Sequence, residues 1–140
     1  MGAHDVIRVL IADGDASLRQ QLHVALAGNG ILVDCVSSVG EAIASLAEHD
    51  YSVIVLDIGL PGGDVAQAVA AVAAQRTRPV VVVLGSPEAA RALDVEIVQI
   101  VIRRPVLLQQ VVDIIRSCAR NAAVRGQLVP PRSDRDQLTS

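Results

Sequence analysis

At 140 residues the chain has room for one domain of ordinary size and a short tail, and a second, output domain is not expected. Apolar residues make up 51% of it, in short blocks separated by Gly, Pro, Asp and Ser; this excludes a disordered chain, and no block approaches the roughly 20 apolar residues that cross a bilayer. Twelve basic residues, all Arg, against fifteen acidic ones give a net charge of −3, and Asp5 and Arg8 around a short apolar block do not make a secretory signal, so a soluble, cytoplasmic protein with no nucleic-acid or membrane partner is expected.

In chain order, Arg8 to Ala12 (RVLIA) reads as a buried strand that stops at Asp13, Gly14 and Asp15. From Ala16 the residues Leu18, Leu22, Ala25 and Leu26 recur at helical spacing until Gly28, Asn29 and Gly30, with Asp15 placed to cap the helix. Leu32 to Val36 is a second strand, and Ser38 followed by Glu41 forms a capping box that opens a helix through Ile43, Leu46 and Ala47. Ser52 to Leu56 (SVIVL) leads directly into Asp57, and Gly59, Pro61, Gly62 and Gly63 then make a loop before an Ala-rich helix from about Asp64 to Gln75.

Pro79 to Leu84 (PVVVVL) is a fourth strand, followed by Gly85, by Ser86 as a cap and by Pro87 at the first position of a short helix ending near Leu93. Ile97 to Ile102 is a fifth strand, Arg103, Arg104 and Pro105 turn the chain, and a last helix from about Leu107 to Ala123 packs through Leu108, Val111, Val112 and Ile115. Residues 1–123 are therefore expected to form the domain, and 124–140, with Pro130 and Pro131 and no periodicity, a flexible tail or linker.

Near-continuous apolar strands alternating with helices imply a parallel sheet covered on both faces, a doubly wound α/β fold. Cys35 and Cys118 lack the spacing of a zinc or redox motif and are expected as two buried thiols. His4, His23 and His49 have no ligand spacing and are given no chemical role.

In such sheets the functional crevice lies beyond the carboxyl ends of the strands, where strand order reverses. Asp13, Asp57, Gly85 and Arg104 all map to that rim, two acids and a cation, and carboxylates so arranged can share a divalent metal. Plainer roles stand beside these: Asp57 as a cap on the turn at Gly59, Asp15 as a helix cap, and Arg104 as a neutraliser of Asp13 and Asp57.

The segments IADGD, VIVLDIGLPGGD, VVVLGS and VIRRP, in this order and spacing, resemble the landmarks of the response-regulator receiver family over residues 7 to about 122. The resemblance implies a flavodoxin-like (βα)5 three-layer sandwich with strand order 2-1-3-4-5, and a signalling role in two-component phosphorelays rather than an enzymatic one. It implies Asp57 as the phosphoacceptor, attacking the phosphohistidine of a sensor histidine kinase or phosphotransfer protein. It implies Mg2+ near Asp13, Asp57 and Gly59, with Asp15 as a further candidate ligand, Arg104 as the phosphoryl or pocket cation, and a switch position at Gly85 or its neighbour Ser86. It also implies a cis Arg104–Pro105 peptide, and it extends to a homodimer through helix 4, strand 5 and helix 5.

Four positions depart from the family pattern. Gly14 stands where the second of two adjacent acids is usual, leaving the metal site one carboxylate short, and Gly85 stands where a Ser or Thr is usual. Arg104 replaces a Lys, keeping charge but not geometry, and Val101 stands where an aromatic is usual, the chain's one aromatic residue being Tyr51. The alternative function is therefore a degenerate receiver that signals by protein contact without phosphorylation. A nucleotide- or small-molecule-binding domain of the same fold is a third reading, which the absence of a Gly-rich phosphate loop after the first strand disfavours.

Overall fold

The computed structural model of the protein describes residues 7–124. Five strands and five helices alternate along it: β1 (Arg8–Ala12), α1 (Ala16–Ala27), β2 (Leu32–Val36), α2 (Val39–Glu48), β3 (Val53–Asp57), α3 (Val65–Ala73), β4 (Val80–Leu84), α4 (Pro87–Ala90), β5 (Val98–Ile102) and α5 (Leu108–Val124). All strand pairs are parallel and the order is β2-β1-β3-β4-β5, as expected for a doubly wound sheet. Element ends differ from the sequence expectations by one to three residues, most at α4, which ends at Ala90 rather than near Leu93; Asp57 is the last residue of β3 rather than the first after it. His4 and the expected tail beyond Val124 lie outside the described residues.

Two apolar layers hold the sheet. On one face Leu18, Leu22 and Leu26 of α1 meet Val111, Val112 and Ile115 of α5 over Val9, Ile11, Val53, Val55, Val80 and Val82. On the other, α2, α3 and the α4 segment cover Leu10, Ile54, Leu56, Val81 and Val83 through residues such as Leu46, Val69, Val72 and Leu93. Central β4 (VVVVL) is buried at every position, because neighbours flank it and helices cover both faces.

The edge strands behave differently. Along β2, Leu32 is exposed and the rest half-buried, and along β5 the pattern alternates between half-buried and exposed up to Ile102. This corrects the expectation of two buried thiols: Cys118, on α5, is buried, but Cys35 on edge strand β2 is only half-covered. Between β4 and β5 the register slips at Val81/Val82, where Val81 pairs with Val98 and Val82 with Ile100.

The caps read from the sequence form. Asp15 accepts from the Ser17 and Leu18 amides, Ser38 from Glu41 and Ser86 from Ala89; Asp64, expected as the first residue of its helix, instead caps α3 by accepting from Ala66. In return, the Glu41 carboxylate accepts from the Ser37 amide and hydroxyl, at 2.8 and 3.0 Å. After α1 it is Gly30, at φ +77°, that takes the left-handed conformation, while Gly28 stays right-handed at φ −64°. At the end of the sheet remote from the rim residues, buried Tyr51 donates its hydroxyl to Asp34 at 2.7 Å and Arg8 Nε donates to the same oxygen at 3.0 Å. Among the described residues no helix is long and apolar enough to cross a membrane.

Candidate functional site

The reversal of strand order brings β1 and β3 side by side, so the chain leaves both at the same rim and Asp13 and Asp57 become neighbours. Arg104, two residues past the end of β5, reaches back over β4 to both. Its Nη2 lies 2.6 Å from Asp13 Oδ2 and 3.2 Å from Asp57 Oδ1, so one guanidinium nitrogen serves two carboxylates. Asp13 is 1% exposed, Asp57 13% and Arg104 36%. The Arg104–Pro105 peptide is cis, as the resemblance implied.

Backbone amides complete the cup. Gly59 N donates to Asp57 Oδ1 at 2.9 Å, Gly14 N to Asp57 Oδ2 at 3.4 Å and Asp15 N to Asp13 Oδ1 at 2.8 Å. Burial raises the Asp13 carboxyl above its ordinary value, with a further push from the Asp57 charge, and outweighs the pull of the Asp15 amide and Arg104. Burial works against the charge of Arg104 too, but the two carboxylates hold its value above the ordinary one.

Asp13, Asp57, Gly59 and Arg104 are thus brought together, while Asp15 turns away to cap α1, its Oδ1 accepting from Ser17 N at 2.9 Å and Leu18 N at 3.3 Å. Gly14 contributes no side-chain oxygen, and among the described residues no group of three or more acidic, thiol or imidazole side chains is placed to hold a metal ion. With a guanidinium already seated between the two acids, the residues present do not fit a resident Mg2+. A Cβ at Gly14 would find room, 3.5 Å from Pro61 Cδ and 4.0 Å from Asp57 Oδ2, so the gap is chemical rather than steric.

The two candidates for a switch position are both engaged. Ser86 Oγ accepts from Ala89 N at 3.1 Å at the start of α4. At Gly85 a Cβ would overlap the Ile58 Cγ2 methyl and stand 3.0 Å from Ile58 Cβ. Sequence reasoning misses Ile58, because an apolar residue after Asp57 looks like any other core residue. It misses Arg19 as well, whose Nη1 donates to the Asp13 carbonyl at 2.7 Å and ties α1 to the loop that carries Asp13. The signal available for Arg19 is its position directly after core-facing Leu18, on the edge of the packed stripe.

A family model described as "Response regulator receiver domain" matches residues 9–116. Among curated proteins, the chain is 36% identical over 58 residues to the transcriptional regulatory protein PmrA of Pectobacterium parmentieri, a stretch covering 41% of this chain and 26% of that protein. It is 29% identical over 120 residues to the sensory/regulatory protein RpfC of Xanthomonas campestris, covering 81% of this chain and 16% of RpfC. The chain therefore spans about a quarter or less of these relatives. Among solved structures, a CheY-like receiver domain protein from Methanospirillum hungatei superposes with a TM-score of 0.74 at 19% identity, over 86% of this chain and 99% of that one. A signal receiver domain from Vibrio parahaemolyticus gives 0.75 at 16% identity, over 86% and 95%. At these identities the superpositions speak for the fold.

Proposed function

The chain belongs to the response regulator receiver domain family of two-component signalling, and on that premise we propose that it is a receiver module whose acidic pocket is neutralised from within by Arg104 and which signals through regulated protein contact. The observation that carries this is the position of Arg104 Nη2, within 3.2 Å of an oxygen on each of Asp13 and Asp57. A cation supplied by the chain itself compensates buried Asp13 and partly buried Asp57 without metal, and the missing carboxylate at position 14 removes the means of recruiting one. The role is a signalling one rather than an enzymatic one, in the cytoplasm and without nucleic-acid or membrane partners, performed by a domain of residues 1–123 followed by a tail or linker.

Phosphorelay through Asp57 is the second reading, favoured by the place of that carboxylate at the end of β3 with the Gly59 amide on its Oδ1. In that reaction an Asp57 oxygen attacks the phosphorus of a partner's phosphohistidine, an acyl phosphate forms, and the P–N bond breaks with the imidazole as leaving group. The donor is a sensor histidine kinase or phosphotransfer protein. A homodimer through α4, β5 and α5 is supported by exposed Val95, Val101 and Leu107 on that side.

The two readings part under acetyl phosphate and Mg2+. Intact-mass measurement is expected to find the chain largely unmodified; a substantial gain of one phosphoryl group, lost in Asp57→Asn, would establish the second reading instead.

A further inference from the structure

The Asp57 oxygens have three neighbours that can answer a change in their charge: Gly59 N, Gly14 N and Arg104 Nη2. None of these belongs to the turn between β4 and α4, although β3 and β4 are paired up to Asp57 and Leu84. The turn's one hydroxyl, Ser86 Oγ, caps α4. At position 85 the space a side chain would need is filled by the branched end of Ile58, which also packs against the core on the α2 and α3 face. The backbone is pinned on both sides: Ile58 N donates to Leu84 O at 3.0 Å and Gly85 N to Ile102 O at 2.9 Å.

Arg104 is placed in the opposite way. It touches both carboxylates, and the chain runs on from it into Pro105, whose ring fixes φ, so a displacement of the Arg104 backbone is passed on rather than absorbed in that torsion. Two residues further lies Leu107, 71% exposed. Pro105 and Val106 line a surface groove with Asp15, Ser17 and Gln21 of the α1 end.

We propose that Ile58 plugs the side-chain slot of position 85 and isolates the β4–α4 turn from Asp57, so that Arg104 is the positioning residue through which the state of Asp57 reaches the Pro105–Leu107 segment. This rests on the phosphorelay reading in taking Asp57 as the residue whose charge signalling alters. A phosphoryl group on residue 57 adds negative charge and draws the guanidinium from Asp13, whereas loss of the charge leaves it on Asp13 alone; in either case the guanidinium recentres and moves the segment it leads.

The test is amide NMR on the full chain with Asp57→Asn, which removes the charge at residue 57. The amides of Val106 to Leu108 are expected to shift while those of Ser86 to Ala90 hold their wild-type positions. The Val106–Leu108 response is expected to vanish in Arg104→Ala and to return in part in Arg104→Lys, which a merely structural role for Arg104 would not produce. Shifts at Ser86–Ala90 as large as those at Val106–Leu108, or an unchanged response in Arg104→Ala, overturn the proposal. For the plug, Gly85→Ser is expected to lower the melting midpoint by about 5 °C or more. Because φ +158° strains any side chain at position 85 and Ile58→Ala loses packing of its own, the sign of the plug is that the two changes together cost less than the sum of their separate costs. A wild-type midpoint for Gly85→Ser, or additive costs in the double variant, overturns that part. Failure of phosphoryl transfer in the mass experiment touches none of these outcomes, which depend only on the charge of residue 57.

Discussion

Arg104 Nη2 stands 2.6 Å from Asp13 Oδ2, an ion pair that joins residues 91 positions apart and sets a half-exposed guanidinium against a carboxylate that is 1% exposed. Both groups gain from the contact, but the benefit is lopsided, because Asp13 is withdrawn from water far more completely than Arg104.

Removing the cation therefore leaves the buried acid uncompensated. Arg104→Ala is expected to cost about 2 kcal/mol, below the roughly 3–5 kcal/mol typical of fully buried pairs because Arg104 remains 36% exposed. Urea unfolding near neutral pH checks this, and the loss is expected to shrink when Asp13→Asn is added, since the neutral amide no longer needs a counter-charge.

The gap at position 14 is open to repair. With 3.5 Å to Pro61 Cδ and 4.0 Å to Asp57 Oδ2 at the Cβ position, Gly14→Asp is expected to fold and to strengthen Mg2+ binding in titration calorimetry by adding a carboxylate to the pair. Combining it with Arg104→Ala, which vacates the seat between the acids, is expected to strengthen binding further; no gain in either variant would count against Arg104 as the metal's competitor.

At the far end of the sheet, burial pushes the Asp34 carboxyl up, but hydrogen bonds from Tyr51 and Arg8 more than offset it and leave the carboxyl below its ordinary value. Its contribution to stability is thus fully present above the unfolded carboxylate value near ~3.9 and is lost as pH falls through the lower folded value. Tyr51→Phe is expected to cost about 1–3 kcal/mol at neutral pH, and less under strongly acid conditions. Denaturant midpoints across that acid range check it, and a cost that stays constant would mean that the charged carboxylate is not what the hydroxyl serves.

Ser38 offers a purely local case. Ser38→Ala removes the bond to Glu41 N at 3.2 Å and is expected to lower stability by about 1 kcal/mol, with no effect on the rim residues, by thermal melting and NMR respectively.

The fold was legible because its strands advertise themselves. VVVVL and VIVL admit few other readings between turn residues, and the parallel topology follows from the helices between them. The meeting of Asp13, Asp57 and Arg104 was legible for the same reason, since residues at the carboxyl ends of parallel strands must share a rim. Edge position was not: LVDCV looks like an interior strand, and only strand order shows that Cys35 has one open side. Nor was the Ile58–Gly85 relationship, which depends on the direction of one side chain across two paired strands and leaves no trace in spacing or composition. The reach of Arg19 to a carbonyl six residues earlier is of the same kind.

With no Trp or Phe in the chain, the phenol of Tyr51 is its sole strong intrinsic fluorophore. In the native molecule that ring is sealed from solvent and hydrogen-bonded to a carboxylate, a partner that quenches its emission, so brightening reports loss of the whole fold. Because it sits at the opposite pole from residue 57, ordinary spectroscopy gives a faithful optical record of unfolding and stays dark to events in the acidic cup, which makes an introduced dye or an isotope label the route to watching the receiver at work.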